Sequence, residues 1–302
     1  MKHSRTRSSY LSTLALCMAA ACAAPAEVAV TEEVSHEPTV LEGPLGELVS
    51  DLIYGTTEER LSAADELGSL GSEAAPATEH LVLALNDQEP AVRVLAAEAL
   101  SSTGGDLDFT LNSLNTCLLE DNEESVQTAA ATSMVRLGPD SAPYLHSGIE
   151  HDRPSVRWQS ARGLGRLGDD AGETLELLLT ALGDDDERVR LNAAKALGQT
   201  NQDAHEAIQP LIRALTDEAT DVRGNAAWAL GRCGEVAKRA VLPLIDALRD
   251  EAPVVRMQAA HALGELGPNA TQASMDLTSA LDDPDPKVVH EVTVALDAIK
   301  QD

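Results

Sequence analysis

The sequence predicts an all-α protein built as a solenoid of about eight stacked helix pairs. Three observations carry that prediction. A thirteen-residue motif recurs at a spacing of about 33 residues, each copy has helical apolar periodicity, and only 2% of the chain is aromatic. With one phenylalanine, Phe109, and an apolar fraction made mostly of Ala, Leu and Val, the core must come from closely approaching helices.

Lys2, Arg5 and Arg7 precede an apolar run from Leu11 to Ala24 that small residues close. That run is shorter than the ~20 residues of a membrane span, so residues 1–26 are expected to be an export signal. "MAAAC" (Met18 to Cys22) resembles a bacterial lipoprotein box with Cys22 as the lipidated residue. Ala19 stands where such a box usually has Leu, so the alternatives are lipidation at Cys22 or plain cleavage after Ala21 or Ala26. The expected location is the periplasm, free or anchored to the outer membrane. Residues 27–42, "EVAVTEEVSHEPTVLE", lack helical periodicity and read as an acidic flexible tether.

From residue 43 to 302 the repeats follow. The copies begin at Glu59, Val92, Val126, Val156, Val189, Val222, Val255 and Val288, at spacings of 33, 34, 30, 33, 33, 33 and 33. With the first residue as position zero and ~100° per residue, positions 0, 4, 8 and 11 form one apolar stripe, the core face. Small residues at positions 4 and 5, such as Ala193 and Ala194, allow close packing. Gly at position 12 (Gly71, Gly138, Gly168, Gly234, Gly267) is expected as a left-handed cap. A second apolar helix follows, as in "AVLPLIDAL" (Ala240 to Leu248). Then comes an acidic turn with Asp five residues before the next motif (Asp87, Asp121, Asp184, Asp217, Asp250, Asp283). The arginine recurring at position 1 (Arg60, Arg93, Arg157, Arg190, Arg223, Arg256) is expected to pair with those aspartates in a structural ladder.

"VRxxAAxALGxLG" followed by "PLIxAL" resembles the HEAT-like repeats named after phycobilisome lyases, over about residues 45 to 302. The resemblance implies a right-handed α-solenoid, and it implies that positions 2, 3, 6 and 10 line the inner, concave wall. The fold does not by itself imply an activity. Cys117 and Cys233 fall at least three repeats apart, well beyond the ~7 Å limit for a disulfide.

That wall holds the candidate site. Four consecutive copies place Trp158, Gln159, Arg162 and Arg166; Asn192 and Lys195; Asn225, Trp228 and Arg232; and Gln258 and His261 on it. Both tryptophans of the chain, four amides at position 3 and four cations coincide there. Trp and Arg are common anchors of protein recognition. The partner expected is a protein or peptide segment with acidic and apolar groups, bound by a monomer that acts as a non-catalytic scaffold. A competing account has the amides bonding from repeat to repeat and the arginines pairing with nearby carboxylates.

Other classes fit less well. A net charge of −28 disfavours nucleic acid, and membrane contact is expected only through the lipid anchor. The HEAT-repeat di-iron hydroxylase resembles the chain in fold, but it needs His-Glu pairs at positions 2 and 3 of four motif helices. Here His290-Glu291 is the single such pair, beside Trp158-Gln159, Leu191-Asn192, Gly224-Asn225 and Met257-Gln258. The bilin lyases are the other enzymatic relatives, and no cysteine lies in these slots. No catalytic residue, cofactor or metal is therefore expected.

Overall fold

The computed structural model describes residues 41–168, 174–200 and 205–300. The export signal, Cys22 and the tether up to residue 40 lie outside them. The described residues are helical, in sixteen α-helices. Eight carry the motif: α2 (Thr57–Leu70), α4 (Pro90–Thr103), α6 (Glu124–Leu137), α8 (Pro154–Leu167), α10 (Glu187–Gln199), α12 (Thr220–Arg232), α14 (Pro253–Glu265) and α16 (Pro286–Ala298). Between them run α1 (Gly43–Tyr54), α3 (Thr78–Ala84), α5 (Leu107–Glu120), α7 (Ala142–Ile149), α9 (Thr174–Ala181), α11 (His205–Ala214), α13 (Val241–Ala247) and α15 (Ser274–Ser279).

Successive motif helices stack on one another, and each intervening helix packs chiefly on the motif helix that follows it. The structural pair is therefore second helix, acidic turn, motif helix. This register explains α1, which precedes the first motif and completes eight pairs. The molecule is an α-solenoid, as the period predicts.

The core follows the wheel. Position 0 valines and the position 8 row (Leu67, Leu100, Met134, Leu164, Leu197, Leu230, Leu263, Leu296) are buried. Leucines four residues apart on the second helices, such as Leu114 and Leu118 or Leu244 and Leu248, meet them. Each buried leucine contributes about 1.5–3 kcal/mol.

The alanines at positions 4 and 5 are buried, and a further close approach between layers lies at positions 9 and 7. Glycine at position 9 faces alanine at position 7 of the next motif helix. A Cβ built on Gly165 would lie 2.6 Å from the Ala196 Cα, and on Gly231 2.8 Å from the Ala262 Cα. Between α6 and α8 the order reverses: Val135 takes the glycine's place, and Gly163 stands opposite it.

Every position 12 glycine has positive φ, as expected, but the conformation is not uniformly left-handed. Gly104 is a true αL cap (φ 67°, ψ 28°). Gly71 and Gly138 instead combine positive φ with ψ of −130° and −165°, a region essentially restricted to glycine. That turn feeds the short 3-10 segments Gly71–Ala77 and Pro139–Ser141.

The arginine–aspartate ladder is present and continuous over most of the chain. In each rung Arg Nε and Nη2 donate to the two carboxylate oxygens, with Nε–Oδ2 distances of 2.7–2.8 Å. The remaining Nη1 donates to the carbonyl of the preceding turn, as Arg190 does to Asp184 and Arg223 to Asp217. Each aspartate also accepts the backbone N–H two residues on, as Asp217 does from Ala219 at 2.8 Å. The aspartates hold the turn and do not serve as N-caps.

Burial pushes the Asp217 and Asp250 carboxyls up, but the arginine hydrogen bond, the backbone N–H and the nearby guanidinium charges outweigh it, leaving them below 3.8. For Asp283 the Arg256 hydrogen bond is the largest influence and also lowers it. One rung is missing. Gln127 occupies position 1 in α6 and His151 the turn, so no charge pair forms between α6 and α8. Gln127 donates to the Asp121 carbonyl at 2.7 Å, while its own carbonyl oxygen is buried without a partner.

Two outcomes follow from the ladder. Because the folded carboxyl values are depressed, its contribution is complete above the unfolded value near 3.8 and is lost as pH falls through the folded values. Urea midpoints should hold level on this account above about pH 4 and drop below it; a ladder that contributes nothing would leave no such acid-side fall. Completing the missing rung with Gln127→Arg and His151→Asp together should raise stability by about 1–2 kcal/mol, while either change alone should not.

Candidate functional site

The wall predicted from the wheel can now be followed helix by helix. On α8, Trp158 is half-buried and packed against the core, Arg162 is partly covered and Arg166 is exposed. On α10, Asn192 is partly covered and Lys195 exposed; on α12, Asn225 and Trp228 are partly covered and Arg232 exposed. Gln258 and His261 on α14 are partly covered.

The amides do not form a ladder. Asn192 and Asn225 donate back to the carbonyls of Arg188 and Asp221 in their own helices, at 2.7 and 2.8 Å. Gln159 is only 1% exposed and donates to the Thr128 hydroxyl of α6. It ties two layers together and offers no surface to a partner. A single-helix wheel places position 3 at the edge of the outer face; the neighbouring layer covers that edge here.

The cations behave differently. Among the described residues, the ladder arginines, Arg188 and Arg249 pair with carboxylates. Arg162, Arg166, Lys195 and Arg232 make no such pair, although acidic residues outnumber basic ones by 50 to 22; Arg213, Lys238 and Arg239 are also without one, but only the first four lie together on this wall. Arg162 and Arg166 flank a shallow cleft between α6 and α8, floored by Ala131, Val135 and Gly163. Burial first, and then the charge of Arg166, hold the Arg162 guanidinium below the usual arginine range. Arg136 of α6, at position 10 like Arg166 and Arg232, is a further exposed cation on this face.

The tryptophans are seated by their neighbours. Trp228 lies across Gly198: a Cβ there would come within 2.5 Å of the indole Cζ3. Trp158 lies beneath Arg188, whose guanidinium carbon is 5.7 Å from the ring centroid. Each indole thus has one face against protein and part of its surface on the wall. His261 Nδ1 lies 3.2 Å from a Glu291 carboxylate oxygen of α16.

Sequence reasoning missed Arg188 and Glu124, which lie one and two residues before their motifs and 64 residues apart. Arg136 was legible from its position on the wheel.

Chemistry elsewhere is sparse. Cys117 and Cys233 are free thiols. Burial pushes Cys117 up to about 12 and Cys233 up to about 11, so neither is a thiolate at neutral pH. Among the described residues no group of three or more His, Cys, Asp or Glu side chains is placed to hold a metal ion, and no helix is long and apolar enough to cross a membrane.

A stack of paired helices with a variable outer face on its motif helices defines a class: a helical-repeat protein whose surface chemistry varies while its core repeats. A family model described as HEAT repeats matches residues 111–178, 142–231 and 208–297, more than half of the chain, and the protein belongs to that family.

Among solved structures it is similar to YibA of Escherichia coli, with 23% identity over 85% of this chain and 92% of that one and a TM-score of 0.61. An engineered protein is similar at 22% identity over 85% and 79%, with a TM-score of 0.53. The structure of Kap95p binding RanGDP aligns at 14% identity and a TM-score of 0.67, over 85% of this chain and 41% of that one. At these identities the likeness is one of fold. No curated protein matches the chain by sequence.

Two glycines test the seating of the second indole. Gly198→Ala should displace Trp228 and shift its fluorescence toward longer wavelength. Gly224, where a Cβ meets nothing within 4 Å, should accept alanine and gain roughly 0.5–1 kcal/mol from helix propensity. Equal responses at the two sites would contradict this packing.

Proposed function

We propose that this protein is a non-catalytic scaffold that binds an acidic, partly apolar protein segment along the wall of α8, α10 and α12. One observation carries the reading: Arg162, Arg166, Lys195 and Arg232 gather unpaired on one face of a protein in which carboxylates are in large excess. Trp158 and Trp228 add flat apolar surface between the charges, and Trp and Arg are the side chains most enriched at binding hot spots. A rigid solenoid presents these groups preformed, so little ordering is lost on association. The amino-terminal run from Lys2 to Cys22 supports placing this scaffold outside the cytoplasm, lipidated at Cys22 or cleaved nearby.

A fluorescein-labelled peptide of alternating glutamate and leucine is the direct probe, read by anisotropy. Binding should weaken as salt rises from 50 to 300 mM, as expected for exposed charges. Arg162→Ala with Arg232→Ala should weaken it about tenfold, and Trp228→Ala at least about fivefold, the size of a hot-spot loss. Exchanging Arg213 of α11, an exposed cation on a second helix, should change nothing. Equal losses from Arg213→Ala and from the wall variants would refute the reading.

A further inference from the structure

Two residues at the edge of this wall, both at variable positions of the repeat, meet across an intervening layer. Four motif helices open with proline (Pro90, Pro154, Pro253, Pro286), two with threonine, and α6 and α10 with glutamate, Glu124 and Glu187. Of the eight residues that immediately precede the motif, Arg188 is the one arginine. Arg188 Nη1 lies 3.2 Å from both carboxylate oxygens of Glu124, so the contact passes over α8, the layer between them. The guanidinium also covers the Trp158 ring at 5.7 Å, and the indole N–H below is buried without a hydrogen-bond partner.

As a stabilising device this contact is poor. Arg188 and Glu124 are 46% and 51% exposed, and an ion pair that open to water contributes little. As a subsite it is well formed. A guanidinium over an indole is a common carboxylate anchor, and the Trp158 beneath this one shares α8 with the unpaired Arg162 and Arg166. Arg188 is further steadied by Asp186, whose carboxylate oxygen lies 3.6 Å from Nε.

We propose that Arg188 and Trp158 form a carboxylate subsite of the binding wall, and that Glu124 is its internal occupant, displaced by a glutamate or aspartate of the partner. This rests on the acidic-partner reading above. The exchange conserves charge: Arg188 trades one carboxylate for another, keeps Asp186, and releases Glu124 to solvent. In the free protein the Glu124 carboxylate therefore competes with the partner and lowers its affinity.

The test uses the full chain and the same glutamate–leucine peptide. Glu124→Gln, which keeps a good helix former, should tighten binding about two- to fivefold, the scale an exposed ion pair allows. Arg188→Gln should weaken it at least about fivefold, and in that background Glu124→Gln should have no effect. A serine–leucine peptide of equal length should gain nothing from Glu124→Gln. If Glu124→Gln binds the acidic peptide no better than wild type while the Arg162 and Arg232 variants still bind weakly, the internal occupant is refuted and the binding wall stands. A gain with the serine–leucine peptide would also refute it, since an apolar segment would then be the displacing group. No binding by wild type or by Glu124→Gln would overturn both.

Discussion

The bidentate contact between a motif arginine and the aspartate of the next turn is the constraint on which the rest of the structure depends. Each arginine grips a carboxylate one layer ahead and a carbonyl one turn behind, so every rung fixes the rotation and spacing of two helix pairs at once. The pairs are only 8–19% exposed on their side chains, which makes their geometry directional and their disruption costly. Once the rotation is fixed, a residue at a given motif position always looks to the same side. A wall can then be written in four variable slots per repeat without disturbing the core.

That division of labour separates two sets of arginines on the motif helices. Those at position 1 are absorbed by the ladder and carry no recognition. Those at positions 6 and 10 face outward, and the ladder leaves no carboxylate near enough to neutralise them. The excess of negative charge in the chain sits largely at turns and helix starts. The wall is a cationic strip in an acidic surround, an arrangement that steers acidic segments toward it and repels other approaches.

The junction between α6 and α8 is where the repeat rule relaxes. The rung is missing, the glycine–alanine contact is reversed as Val135 against Gly163, and the spacing shortens to 30 residues. Gln127, Ser133, Trp158 and Ser160 leave buried polar atoms without partners there. Arg153 compensates in part by donating to the Asp121 carbonyl at 2.7 Å. The Glu124–Arg188 contact spans the same junction from outside, and the cleft flanked by Arg162 and Arg166 opens within it.

Much of this was legible in the sequence because repetition averages out local ambiguity. The solenoid, the core stripe and the Arg–Asp pairing each recur six or more times, and one wheel describes all copies. What a wheel cannot show is the neighbouring layer. It placed Gln159 outward, where Thr128 covers it, and it read the glycines of "ALG" without the alanine that each one admits from the next helix. It gave no hint of Arg188 and Glu124, whose contact joins residues 64 apart at positions outside the motif. The account is tested most directly by photo-crosslinking the glutamate–leucine peptide to the full chain and mapping the adducts. Adducts concentrated at residues 158–166, 195–199 and 225–232 are the predicted result; adducts on α9, α11 and α13, the second helices, would contradict it.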